Sequence, residues 1–168
     1  RTVTWLRDPI ERFISHYQMC KHSRWQSKVA AQRDFQLALN GMSFEEFLER
    51  PDLTAELANL QFRFLAGFRK NAAGRPVCNY RQPCDRLLDN FEVVGLLERF
   101  DESLEAFCFV FDLPPITRYD NRNVSPDRDD RSQLSPKLLD RVRELNQHDM
   151  RLYRRAQVRF ERQRRQML

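Results

Sequence analysis

The chain has 168 residues, 41% hydrophobic and 32% charged, which suits one domain, or a large piece of one, with enough apolar residues to bury a core. No run approaches the roughly twenty apolar residues of a membrane helix, no signal peptide opens the chain, and Cys20, Cys78, Cys84 and Cys108 lack zinc-ligand spacing. A net charge of +5 favours anionic partners, whether a nucleotide, an acidic glycan or nucleic acid, without choosing among them.

Thr2 to Leu6 is β-branched, aromatic and apolar and reads as a short buried strand. Asp8-Pro9-Ile10-Glu11 then starts a helix: Asp8 as cap, Pro9 at the first helical position, Glu11 as the capping-box carboxylate. Ile10, Phe13, Ile14 and Tyr17 form an apolar stripe, with Glu11, Arg12 and Ser15 on the other side. Arg7 stands at the strand-to-helix turn, where open α/β sheets place ligands and helix N-termini offer free N–H groups. A guanidinium there and the Ser15 hydroxyl two turns on suit a phosphate monoester. Arg12 is explained as well by pairing with Asp8 one turn earlier.

The first helix is expected to reach Cys20 or beyond, followed by Lys21, His22, Arg24 and Trp25. Ser43-Phe-Glu-Glu46 is a second capping box, and Leu53 to Phe64 reads as one amphipathic helix stopped by Gly67. Lys70 to Pro83 reads as an irregular loop and candidate lid, in which a Cys78–Cys84 disulfide is plausible in an oxidising compartment. Phe91 to Gly95 is the second strand, parallel to the first if both share a sheet. Asp101 then caps a helix with Leu104, Phe107, Cys108 and Phe111 inward. Ile116 to Leu134 is polar, without apolar period, and is either disordered or organised by a ligand. Ser135-Pro136 begins the last helical region, broken near Asn146 to Asp149 and ending in an arginine-rich stretch.

The stretch Leu6-Arg7-Asp8-Pro9-x-x-Arg12-x-x-Ser15-x-Tyr17 resembles the 3′-phosphate-binding motif of sulfotransferases that use 3′-phosphoadenosine 5′-phosphosulfate (PAPS), especially Golgi carbohydrate sulfotransferases and their bacterial relatives. Asn59-Leu-Gln61-Phe-Arg63-Phe-Leu65-Ala-Gly67, Val94-Gly95-Leu-Leu-Glu98-Arg-Phe-Asp101-Glu-Ser103-Leu104 and Asn146-Gln-His-Asp149-x-x-Leu-Tyr153 resemble later segments of that family, in family order. The likeness implies an α/β, P-loop-like sulfotransferase core with a parallel sheet, dominated here by helices. It implies PAPS as donor, no metal, and a carbohydrate hydroxyl as acceptor.

By the same resemblance Arg7 and Ser15 grip the 3′-phosphate, and Arg122, Asn123 and Ser125 occupy the place of a basic loop over the nucleotide, although no Lys-Gly or Arg-Lys-Gly motif is present. Lys21, His22 and Arg24 follow the phosphate-gripping helix, where family members face the acceptor. Asn59, Gln61 and Arg63 fall where the family lines its acceptor cleft, with a structural role an equal alternative.

A Golgi relative would be anchored through an upstream membrane segment, a bacterial one would be cytoplasmic. The chain opens on Arg1, directly at a strand, and reads as the C-terminal part of a single sulfotransferase domain spanning residues 1–168. The four glycines include none followed by Lys-Ser or Lys-Thr, so the phosphosulfate turn and the base that the family carries upstream are not in this sequence. His16, His22 and His148 gain no catalytic role from position, and the chain alone is expected to be inactive. The alternatives are a basic helical module for nucleic acid, using the C-terminal arginines and the Trp25 region, or a sulfotransferase-like scaffold without activity.

Overall fold

Val3–Leu6 forms β1 and Val93–Leu96 forms β4, paired in parallel with Val3 opposite Val93 and Leu6 opposite Leu96. The computed structural model describes residues 1–22, 30–67, 69–72, 76–120 and 134–167, with the side chains of 22, 30–33, 70 and 76 outside the description. A parallel pair needs cover on both faces. All of β4 is buried, Val93 and Val94 completely. Helix α1, Pro9–His22, follows β1 at once, and Asp8 Oδ1 accepts from the N–H groups of Ile10 (2.9 Å) and Glu11 (3.0 Å). The N–H of Asp8, where a capping box would place Glu11, donates to Glu98 instead, at 2.7 Å.

Helix α2, Ala30–Leu39, has no counterpart in the sequence reading. Then come α3, Phe44–Leu48, with the expected capping box between Ser43 and Glu46, and α4, Pro51–Leu57. The single helix expected from Leu53 to Phe64 is two: α4 stops, Asn59 takes a left-handed conformation (φ 50°), and α5 covers Leu60–Ala66. Apolar spacing runs through the break, so periodicity alone conceals it. The expected irregular loop contains a short hairpin, β2 (Arg69–Lys70) against β3 (Pro76–Val77), and all four cysteines are free thiols.

After α6, Cys84–Leu88, and β4, a 3-10 turn at Leu97–Arg99 leads into α7, Phe100–Phe111. Asp101 therefore lies inside the first turn of α7 rather than capping it; it accepts from the Tyr119 hydroxyl. Ser135 caps α8, Pro136–Leu145, and α9 runs from Gln147 to Met167 after the expected break at Asn146.

The apolar core has two parts. One gathers Leu6, Val94 and Leu96 of the strands with Phe62, Leu88, Leu152, Ala156 and Phe160. The other gathers Ile10, Phe13, Ile14 and Tyr17 of α1 with Leu39, Phe47, Leu57 and Val142. Each large side chain so buried contributes about 1.5–3 kcal/mol. The β1–α1 turn, the α4–α5 break and the α8–α9 break all fall between the two parts, and their polar groups meet there.

Candidate functional site

Three chain breaks leave helix-end N–H and C=O groups that burial forbids from staying unpaired. Asp149, fully buried near the start of α9, accepts from the N–H groups of Gln61 (3.2 Å) and Phe62 (2.7 Å) and so caps α5. Asn59, at the start of α5, accepts from the N–H groups of His148 (2.8 Å) and Asp149 (3.1 Å) and so caps α9. The two helices cap each other. Asn146 Oδ1 accepts from the Asn59 N–H at 3.1 Å and from Arg12 Nη2 at 3.3 Å.

Two arginines reach into this seam. Arg63, 3% exposed, donates to the carbonyls of Ala55 and Glu56 at the end of α4, both at 2.6 Å. Arg12 donates to Leu57 O (2.6 Å), and its Nε lies 3.6 Å from Asp149. It thus reaches across to the helix breaks, well beyond the local pairing with Asp8 that its spacing suggested. Burial pulls the Arg12 pKa down to about 10, opposed by the neighbouring Asp149 carboxylate. Burial likewise pushes Asp149 up, opposed by Arg12 and by the two N–H groups it accepts from.

Arg7 differs. Its main chain is held on both sides by Gln61, whose Oε1 accepts from the Arg7 N–H (2.8 Å) and whose Nε2 donates to the Arg7 carbonyl (2.9 Å). The next peptide is held by Glu98, which bridges the Asp8 N–H and the Tyr153 hydroxyl, both at 2.7 Å. Among the described residues the Arg7 guanidinium makes no hydrogen bond, and its ion pair with Glu11 spans 4.0 Å. Its side chain is 22% exposed. The backbone is locked and the charged head is available.

Ser15 lies one turn beyond Glu11 on α1, part-buried, and its hydroxyl has no hydrogen-bond partner among the described residues. Residues one turn apart share a helix face, so Ser15 lies on the side of α1 that carries Glu11. A guanidinium with no hydrogen bond and a hydroxyl are side chains of the kind an anionic phosphate takes, while the first N–H groups of α1 are already closed by Asp8.

Lys21 stands elsewhere. Its ammonium lies 5.6 Å from the centre of the Tyr17 ring, and the fourteen-residue separation puts it about 20 Å along the chain's path from Arg7. The His22 side chain, Arg24, Arg122, Asn123 and Ser125 lie outside the described residues. Asn59, Gln61 and Arg63 have the structural role. Of the histidines, His16 is held neutral, its pKa lowered to about 4 by burial and then by Arg12 and Arg63. His148 stacks on Tyr80 (4.4 Å between ring centres), and burial lowers its pKa too.

Two surface depressions, one lined by Asp101 and Thr117 to Asp120, the other by residues such as Met42, Glu45 and Lys137, include neither Arg7 nor Ser15. Among the described residues no group of three or more His, Cys, Asp and Glu side chains is placed to hold a metal, and no helix is long and apolar enough to cross a membrane.

A parallel strand pair whose first strand runs directly into a helix, with helices packed around it, is an α/β arrangement. A family model described as "Sulfotransferase family" matches residues 2–154, from β1 well into α9. The chain belongs to the sulfotransferase family. Comparisons with curated proteins and with solved structures found no match.

Proposed function

We propose that this chain acts in transfer of a sulfuryl group from PAPS to a carbohydrate hydroxyl and supplies the half of the site that holds the donor's 3′-phosphate. The observation that carries this reading is the build of the Arg7 turn: its main chain is fixed on both sides by Gln61, while its guanidinium makes no hydrogen bond among the described residues and faces Glu11 at 4.0 Å. Arg7 and Ser15 hold the 3′-phosphate. Arg122, Asn123 and Ser125 are assigned to the nucleotide, and Lys21, His22 and Arg24 to the acceptor, on family likeness alone.

In the transfer, the acceptor oxygen forms a bond to sulfur as the bond from sulfur to the phosphate oxygen breaks, and the acceptor proton passes to a base. No base is assigned within these residues: His16 is held neutral inside the seam and His148 is stacked among aromatic rings. On family likeness alone, the phosphosulfate turn and the base are assigned outside residues 1–168, and these residues alone are expected to transfer no sulfate.

The test is equilibrium binding of adenosine 3′,5′-bisphosphate against adenosine 5′-monophosphate. The reading expects the 3′-phosphate to strengthen binding, and Arg7→Ala to erase that difference while leaving the fold intact. Equal affinity for the two nucleotides, or an Arg7→Ala protein that still discriminates, contradicts it. Proton-linked sulfate transfer by the 168 residues alone would show that a base does lie within them.

A further inference from the structure

Arg7 lies one residue past the end of β1, where the ladder with β4 stops at Leu6. Its N–H and C=O are nevertheless both paired, and both by one side chain. The Gln61 carboxamide presents an acceptor at 2.8 Å and a donor at 2.9 Å, the pair of bonds a further strand would otherwise supply. Gln61 is itself fixed from behind, because the fully buried Asp149 holds its N–H and that of Phe62. A rigid chain of contacts thus runs from α9 through α5 to the peptide that carries the guanidinium.

We propose that Gln61 is a positioning residue of the nucleotide site, setting through the Arg7 main chain where the guanidinium meets the 3′-phosphate. This rests on the functional reading above. The chemistry requires a side chain that presents a donor and an acceptor side by side, as a carboxamide does at every pH. Only a side chain with one donor and one acceptor pairs with both main-chain groups of a single residue. A carboxylate at this place sets an oxygen against the Arg7 carbonyl and offers the guanidinium an internal counter-ion. Displacing a binding group by about 1 Å costs on the order of a hundredfold where orientation matters.

The conservative variant Gln61→Glu separates positioning from bulk. At pH 7.5 it is expected to bind adenosine 3′,5′-bisphosphate about ten- to a hundredfold more weakly than the unaltered protein. As pH falls and the introduced carboxyl protonates, it regains a donor, and the ratio of the two affinities at each pH should close toward one. Comparing the proteins at equal pH cancels the titration of the nucleotide. The near-isosteric Gln61→Met, which has no amide, should show a similar loss with no recovery.

A folded Gln61→Glu protein with unaltered affinity at pH 7.5, or one whose deficit does not change with pH, overturns the proposal. If Gln61→Glu does not fold at neutral pH, Gln61→Met decides alone: a folded variant with undiminished affinity overturns it, and one with normal thermal stability but weak binding supports it. Should the unaltered protein fail to bind the 3′-phosphate at all, the functional reading falls and takes this inference with it, a result distinguishable from failure of the variants.

Discussion

Arg7 and Glu11 face each other across 4.0 Å on the same side of α1, a loose contact for an ion pair. Part-exposed pairs of this kind are worth about 0.2–1 kcal/mol, so Glu11 is a weak competitor for the guanidinium. An incoming phosphate would displace it and be repelled by it. Glu11→Gln is therefore expected to tighten binding of adenosine 3′,5′-bisphosphate by about two- to fivefold in a titration; weaker binding would place Glu11 among the groups that support the ligand. His16 makes a second residue-level prediction. With a folded pKa of about 4 against an unfolded value near 6.5, the unfolded chain binds the extra proton between those values. The His16 contribution to stability is present above pH 6.5 and is lost as pH falls toward 4, by about 1–3 kcal/mol after discounting for partial exposure. Asp149, with its raised pKa, acts in the opposite direction. Thermal melts of the unaltered protein and of His16→Gln across pH 7 to 4.5 isolate the histidine: the variant should lose less stability on acidification. Parallel pH profiles would show that His16 is protonated in the native state as readily as in the unfolded one.

The elements are locked by exchanged caps. Asp149 caps α5 while Asn59 caps α9, so neither helix start is satisfied without the other. Asp149→Ala also strands Arg12 in the seam, and breaking a buried pair in this way costs about 3–5 kcal/mol. Asn59→Ala removes three side-chain hydrogen bonds and sets an alanine at φ 50°, so it should cost more than the roughly 1 kcal/mol of a lost cap, and the two changes together should be non-additive by at least about 0.5 kcal/mol in denaturant unfolding. Additivity would mean that the helices are set independently. Gly95 locks the sheet: a Cβ there would lie 2.6 Å from Trp5 Nε1 and 2.9 Å from Ser103 Cβ. Gly95→Ala is expected to destabilise by about 1–3 kcal/mol and to alter Trp5 fluorescence; an unchanged midpoint would show that the β1–β4–α7 contact can yield.

At this scale the sequence carried β1 and β4, the Asp8 and Ser43 caps and the α8–α9 break, because turn chemistry and periodicity are local, and it carried the parallel pairing of the two strands only on condition of a shared sheet. The α4–α5 break escaped, since Leu53, Leu57, Leu60 and Phe64 keep helical spacing through a left-handed Asn59. So did the partners of Gln61, Glu98 and Asp149: each lies 54 or more residues from the peptide it holds, and no local pattern reports such a bond. Family likeness singled out these segments, placing the first beside the acceptor cleft, but said nothing of these contacts. The structure shows them converging on the turn that carries Arg7.

At the scale of the whole molecule, part of the C-terminal arginine stretch is used to fasten helices together. Arg159 pairs with Asp89 at 2.7 Å and donates to Phe91 O, Arg164 pairs with Glu102 and Glu105 near 3.0 Å, and Arg155 approaches Asp85. These pairs fasten α9 to α6 and α7 beneath the sheet. Arg151, Arg154, Arg162 and Arg165 stay exposed on α9, so an arginine face remains for which binding to nucleic acid is the direct test. Binding to duplex DNA should be weak at physiological salt, and a steep fall in nanomolar affinity with rising salt would favour the nucleic-acid alternative.

The central claim, that the β1–α1 turn holds a 3′-phosphate through Arg7 and Ser15, is tested most directly by amide hydrogen exchange along α1 with and without adenosine 3′,5′-bisphosphate. The nucleotide is expected to slow exchange from Arg7 through the first turns of α1, and both Arg7→Ala and Ser15→Ala to diminish that protection, Arg7→Ala to nothing. Protection that appears elsewhere and spares this turn, or that survives Arg7→Ala unchanged, would contradict the account.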